Sequence, residues 1–222
     1  MKKIIVLSVF AGLIFAGCKK NDAVPSTGSF TVSYPTITVS GNPYYSIAVG
    51  GSLPNITATA YDSFYRESTS VIVDQSTLDA NTPGLYAVTI SSKNKYGMTA
   101  YSTVYVGVTN ISASLDLTGT YIRTVAPANP NRVAHISKVA NGMFLTDNGG
   151  GVDVTDATTG PLVSAVFMVT DPTTIDFGTQ LTSAGSWSAG NEALSLAVGD
   201  TTIAYSVVNS NFGTQVRTFV KQ

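Results

Sequence analysis

His135 is the only histidine of the chain. A general base or a zinc centre built on it lacks the second and third groups that such chemistry needs, so it reads as a hydrogen-bonded strand residue. Ser-Trp-Ser-Ala-Gly at 186–190 has the outline of a nucleophile elbow with the first glycine replaced by Ser186. An elbow also needs a helix behind it, and none is expected there, so Trp187 is assigned to closing one end of a core. Paired carboxylates that hydrolyse glycosides must face one cleft about 5 to 10 Å apart. Glu67 and Glu192, the two glutamates, lie in no motif of that kind. TDNGGGVDVTD at 146–156 gathers Asp147, Asn148, Asp153 and Asp156 around three glycines. Its spacing fits neither an EF-hand nor a nonapeptide calcium repeat, and a glycine-rich hairpin is the simpler reading. The expectation is therefore no enzyme, no metal and no cofactor.

The aromatics offer another chemistry. Tyr44 and Tyr45, and then Tyr61, Phe64 and Tyr65 around a loop that ends in Arg66, bring flat rings and a cation together. The apolar face of a sugar stacks on such rings while a nearby guanidinium bonds its hydroxyls, so Tyr61, Phe64, Tyr65 and Arg66 are the candidate ligand-binding residues. Against this stands the ordinary expectation that half of these rings turn into the core and the rest decorate the surface.

The elements that position these residues are strands. Nearly every segment alternates with period two or is a short β-branched run ended by Gly, Pro, Asn or Asp. In the first half the expected strands are 30–34, 37–39, 44–49, 56–61, 71–73, 84–92 and 99–108. In the second they are 117–124, 132–139, 142–146, 151–154, 163–169, 174–177, 185–187, 193–198, 202–208 and 215–220. Turn dipeptides such as Asn141-Gly142, Asp171-Pro172 and Gly190-Asn191 separate the later ones. Residues 109–116 break the alternation and read as a linker. Charged residues make up only 11% and the net charge is -1, with no basic or acidic block, so nucleic acid is not an expected partner.

The only cysteine, Cys18, follows an apolar run over 4–15 that itself follows Lys2-Lys3. That run is too short to span a bilayer, which takes about 20 apolar residues, and reads as a signal-peptide core over 1–17. Phe15-Ala16-Gly17-Cys18 resembles a lipobox, which implies that Cys18 is acylated and becomes the new N-terminus. A lone thiol then needs no disulfide partner, and buried acyl chains, worth about 0.8 kcal/mol per CH₂, hold the protein at a membrane. Residues 18–29 (CKKNDAVPSTGS) are polar and aperiodic, and read as a flexible tether.

PGLYAVTISSKNKYGMTAYSTVYVGV at 83–108 resembles the closing hairpin of bacterial immunoglobulin-like and PKD-like modules, which implies a β-sandwich over 30–109. The succession GTYIRT, GMFLTDNGGG, VFMVTDPTTIDFGTQ, TTIAYSVVN and VRTFVKQ resembles the C-terminal domain of two-domain Bacteroidota-type surface lipoproteins. This implies a lipocalin-like, antiparallel β-barrel-like meander over 115–222. The expected fold class is thus all-β, a sandwich followed by a barrel-like domain. The resemblance further implies a protein lipid-anchored to the outer membrane, at the cell surface or the periplasmic face. There it would act as a non-catalytic binding accessory, with a glycan or other polymer as ligand and SusC/SusD-type transporter components as neighbours. Two readings stand beside it: a structural or adhesive surface protein with a protein partner, and a lipocalin-like carrier of a small apolar ligand. The carrier requires an empty interior of a few hundred Å³.

Overall fold

The hydrophobic pattern dictates where each strand turns its side chains, and the computed structural model, which describes residues 32–125, 128–197 and 199–222, follows it closely. The signal segment, Cys18 and the tether lie outside the described residues. Seven strands build the first half: β1 (Thr36–Val39), β2 (Tyr44–Ile47), β3 (Ala58–Asp62), β4 (Glu67–Thr69), β5 (Val71–Asp74), β6 (Gly84–Lys93) and β7 (Thr99–Val108). They form two sheets, β1-β3-β4 and β2-β7-β6-β5, with β2 parallel to β7 and the other pairs antiparallel. Val88, Ile90, Val104 and Val106 face inward against Ile56, Ile37, Val39 and Val71, the alternation a half-buried sandwich strand requires.

The second half is all antiparallel. Its strands are β8 (Gly119–Arg123), β9 (Val133–Ala140), β10 (Met143–Thr146), β11 (Ala165–Asp171), β12 (Thr174–Asp176), β13 (Gln180–Thr182), β14 (Gly185–Ala197), β15 (Asp200–Val208) and β16 (Val216–Lys221). They lie in one curled sheet in the order β12-β11-β10-β9-β8-β16-β15-β14-β13. Pairing of β8 with β16, the first strand with the last, joins two meanders. The remaining seam is bridged without a ladder. Leu194 N donates to Thr173 O at 2.7 Å, and the Gln180 side chain bonds both Val166 N and Val166 O, at 2.9 and 2.8 Å.

Rings fill the interior of this curl. Phe144, Phe167, Phe177, Tyr205 and Phe219 form a column with successive centroids 5.6, 5.2, 4.5 and 5.6 Å apart, every ring buried. The void left among them is about 10 Å³, room for about one water. Among the described residues this packing leaves the ring column no space for an apolar ligand, which speaks against the carrier reading.

Several elements depart from the expected pattern. Residues 151–154 are not a strand. Gly190-Asn191 is not a joint but a bulge inside β14, where Asn191 takes φ 53° and its amide reaches Ser206 Oγ at 3.0 Å. Residues 109–116 carry no strand, yet they are fastened down. Ile111 and Leu115 pack on the barrel core, Thr109 Oγ1 donates to Val169 O at 2.8 Å, and Lys138 Nζ donates to the carbonyls of Ala113 and Leu115 at 2.7 Å each. Leu85 and, beside it, Tyr44 and Tyr105 pack against Met143, Val166 and Met168, so part of the outer face of β6 and β7 is buried on the second half. From Ser33 onward the chain is one compact unit.

Candidate functional site

The strand β3 ends at Asp62, whose side chain is fully buried. A buried carboxylate must be hydrogen-bonded, and this one accepts from four donors: Ser33 Oγ at 2.7 Å, the amides of Phe64 and Tyr65 at 3.1 and 3.2 Å, and Asn94 Nδ2 at 2.8 Å. Asn94 is buried as well. Its Oδ1 accepts from the amides of Tyr96 and Met98, at 3.0 Å each, while Nδ2 also donates to Ser33 O at 2.9 Å. Asp62 and Asn94 therefore stitch the 62–66 turn to the β6–β7 turn, and their side chains brace both turns from beneath, beside the backbone bonds from Asn94 N to Met98 O and from Gly97 N to Asn94 O, at 3.0 Å each.

The stitched turns display a row of rings. Phe64 meets Tyr65 edge-on at 4.9 Å, and Tyr65 lies 4.4 Å from Tyr96 at a tilt of 39°. Lys95 Nζ stands 5.3 Å from the centroids of both tyrosines and pairs with Glu67 Oε2 at 3.2 Å. The ion pair with Glu67 holds the Lys95 ammonium above its ordinary value, so the cation persists beside the rings. Phe64 and Tyr96 are 55% and 51% exposed, while Tyr65 between them is half-buried. Arg66 is exposed at φ 53°, a left-handed conformation that a β-carbon disfavours. Tyr61 is exposed on the outer face of β3, one residue before Asp62.

The four residues singled out from the sequence thus share one strand end and turn. Sequence reasoning missed Asp62, Asn94, Lys95 and Tyr96, because the contact joins turns 32 positions apart and Asn94 reads as an ordinary turn residue. Tyr44 and Tyr45 do not join them. Tyr44 stacks at 6.3 Å on Tyr105 against the second half of the chain, and Tyr45 packs on the sandwich core.

Burial pushes the Asp62 carboxyl up, but the bonds from Asn94, Ser33, Tyr65 and Phe64 outweigh it and hold the group below its ordinary value of 3.8. A depressed carboxyl stabilises the folded state fully above the ordinary value, and that contribution disappears as pH falls through the lower folded value. The tip is therefore expected to hold its shape from neutral pH down to about 4 and to loosen below 3.8. The side-chain amide resonances of Asn94 report this directly, and in Asp62→Asn they should no longer follow pH in that window.

The other chemistry-bearing residues are structurally committed. His135 Nδ1 pairs with Asp147 Oδ2 at 2.8 Å on an exposed strand surface. Trp187 is fully buried edge-on to Phe212 at 5.4 Å, closing one end of the barrel core as expected. Glu192 Oε1 accepts from Phe177 N at 2.8 Å, and burial, with a smaller push from Asp176, raises its carboxyl. The 146–156 stretch is not the plain hairpin expected. Gly149, Gly150 and Gly151 are buried as a plug in the barrel end, where a β-carbon on Gly150 would strike the Phe212 ring and one on Gly151 would meet Arg123 Cδ at 2.6 Å. Asn148 bonds Val133 O and Val152 O from within, and among the described residues no group of His, Cys, Asp and Glu is placed to hold a metal ion.

No family model matches the chain, and no curated protein matches it. Among solved structures it is similar to a lipoprotein from Bacteroides thetaiotaomicron determined by crystallography, at 20% identity and a TM-score of 0.36, with 84% of this chain and 100% of that chain covered.

Proposed function

We propose that this is a cell-envelope protein, anchored to the outer membrane through acylated Cys18, that binds a polysaccharide without catalysis through the tip formed by Phe64, Tyr65, Arg66, Lys95 and Tyr96. The observation that carries the reading is the ring row over the Asp62–Asn94 stitch: flat apolar faces held rigid, with a cation and a carboxylate beside them. Pre-ordered rings lose little conformational entropy when a ligand stacks on them. A filled barrel and carboxylates engaged with backbone amides support a binding rather than a catalytic role. An accessory position beside a SusC/SusD-type transporter fits such a ligand. Affinity electrophoresis of the full chain through gels containing neutral polysaccharides should show retardation by at least one of them. Mass spectrometry of the natural protein should find diacylglyceryl and acyl mass on Cys18, and an unmodified thiol there would contradict the anchor.

Arg66 offers a sharper test. A non-glycine residue in left-handed backbone costs about 1 kcal/mol or more. Arg66→Gly should therefore raise stability by about 1 kcal/mol in urea unfolding while weakening polysaccharide retardation. Unchanged retardation would remove the guanidinium from the site.

A second reading, an adhesive protein with a protein partner, draws on Ile72 and Tyr101. They are 66% and 72% exposed, and both flank Ser91 on the outer face of the second sheet.

A further inference from the structure

Three arginines converge where the glycine plug enters the barrel. Arg123 N donates to Arg132 O at 2.9 Å across the mouth of the β8–β9 hairpin, and β16, which carries Arg217, is the other neighbour of β8. The register pairs Arg123 with Phe219 and Arg217 with Tyr205, both inward-facing rings, so these two guanidiniums start on the inner face. All three hold plug carbonyls. Arg123 Nη1 and Arg132 Nη1 share Gly151 O, at 3.1 and 3.2 Å, and Arg217 Nε donates to Gly150 O at 2.8 Å. Arg217 Nη1 also donates to Gly213 O and Gln215 O, at 3.1 and 3.0 Å, and the residue is only 4% exposed.

Carbonyl dipoles orient these groups but leave three positive charges together. Among the described residues the ion pairs are Lys95–Glu67 and His135–Asp147, and neither touches this cluster. The hairpin segment 124–131, TVAPANPN, contains no acid. Asp153 is the carboxylate whose field meets Arg132 and offsets part of this charge, while its oxygens accept from Thr155 and Asn129 and make no ion pair with the cluster. Nε of Arg123 and of Arg132 is buried with no hydrogen-bond partner, and no bond among the described residues uses Nη2 of any of the three. Burial, and then the charges of Arg217 and Arg132, hold the Arg123 guanidinium down to about 10, which a bound anion would reverse.

The donors left unused, Nε of Arg123 and Arg132 and Nη2 of all three, with like charges held close by the loop, suit an oxyanion rather than a neutral ligand. We propose that Arg123, Arg132 and Arg217 form a binding site for one tetrahedral oxyanion of the sulfate or phosphate type, free or carried on a polysaccharide. The site is separate from the aromatic tip and does not rest on the function proposed for it.

The test is calorimetric titration of the full chain with sodium sulfate and sodium phosphate, at ionic strength held constant with sodium chloride. Sulfate stabilises proteins generally by exclusion from their surface, so saturation and loss in a variant are the deciding features. Saturable binding is expected, weakened at least tenfold in Arg132→Gln, which removes one charge from the exposed side of the cluster. Lys93→Gln, an exposed β6 residue outside the cluster, and Phe64→Ala should bind sulfate as the parent does. A gel containing a sulfated polysaccharide, run beside its desulfated form, separates the sources. Retention of the sulfated form through the arginines assigns a glycan-borne group, and calorimetric binding without such retention assigns a free ion. Absence of saturable binding, or equal binding in Arg132→Gln whose fold is verified by circular dichroism, overturns the site.

Discussion

Phe167→Ala should lower the stability of the protein by about 3–5 kcal/mol and its Tm on the order of 10 °C. Phe167 sits in the ring column, 5.6 Å from Phe144 and 5.2 Å from Phe177, and is 1% exposed. The residues around it belong to paired strands on all sides, so the hole cannot collapse and its lining loses contacts outright. The cost reports how solid the barrel is. Urea unfolding of the variant measures it, and a loss below about 1 kcal/mol would mean an interior loose enough to repack, reviving the carrier. The hole should take up benzene, because rings and aliphatic side chains line most of it beside Thr146.

Gly178→Ala should cost about 2–4 kcal/mol, through strain and collision together. Gly178 follows β12 at φ 55°, and a β-carbon there would lie 2.6 Å from Leu85 O. That carbonyl has little freedom to retreat, since β6 is paired with β7 along its whole length. The adjacent Asp176 carboxylate accepts from Leu85 N and from Gly178 N, at 2.7 Å each, so backbone from both halves of the chain is held by one side chain. Thermal unfolding should therefore show a lower and broader transition, as the halves lose their shared anchor before either core melts. A transition as sharp and as high as the parent's would show that the two halves do not depend on this contact.

What could be read in the residues follows from what each structure depends on. The β6–β7 hairpin is legible because Val88, Ile90, Val104 and Val106 alternate with polar neighbours, and burial on one face fixes their register. β14 reads as two strands because Gly190-Asn191 has turn chemistry. Its bulge is stabilised by Ser206 Oγ, which donates to Gly190 O at 2.9 Å from the neighbouring strand β15, a contact 16 positions away that the dipeptide does not show. The plug reads as a strand because Val152 and Val154 are β-branched, whereas the Asn148 side chain replaces the ladder bonds locally. The filled interior is invisible in the sequence, since its five rings come from separate segments of the chain. At the tip the aromatics announce themselves. The two buried polar residues that hold them do not, because Asp and Asn at strand ends usually face solvent.

The row of Phe64, Tyr65 and Tyr96 is the proposed preordered surface for sugar rings. Affinity electrophoresis of the full chain and of a Phe64→Ala/Tyr96→Ala double variant, side by side in polysaccharide gels, tests it most directly. Retardation of the parent in at least one neutral polysaccharide and free migration of the variant are expected. Free migration of the parent in every polysaccharide, or equal retardation of the two, would contradict the proposed surface.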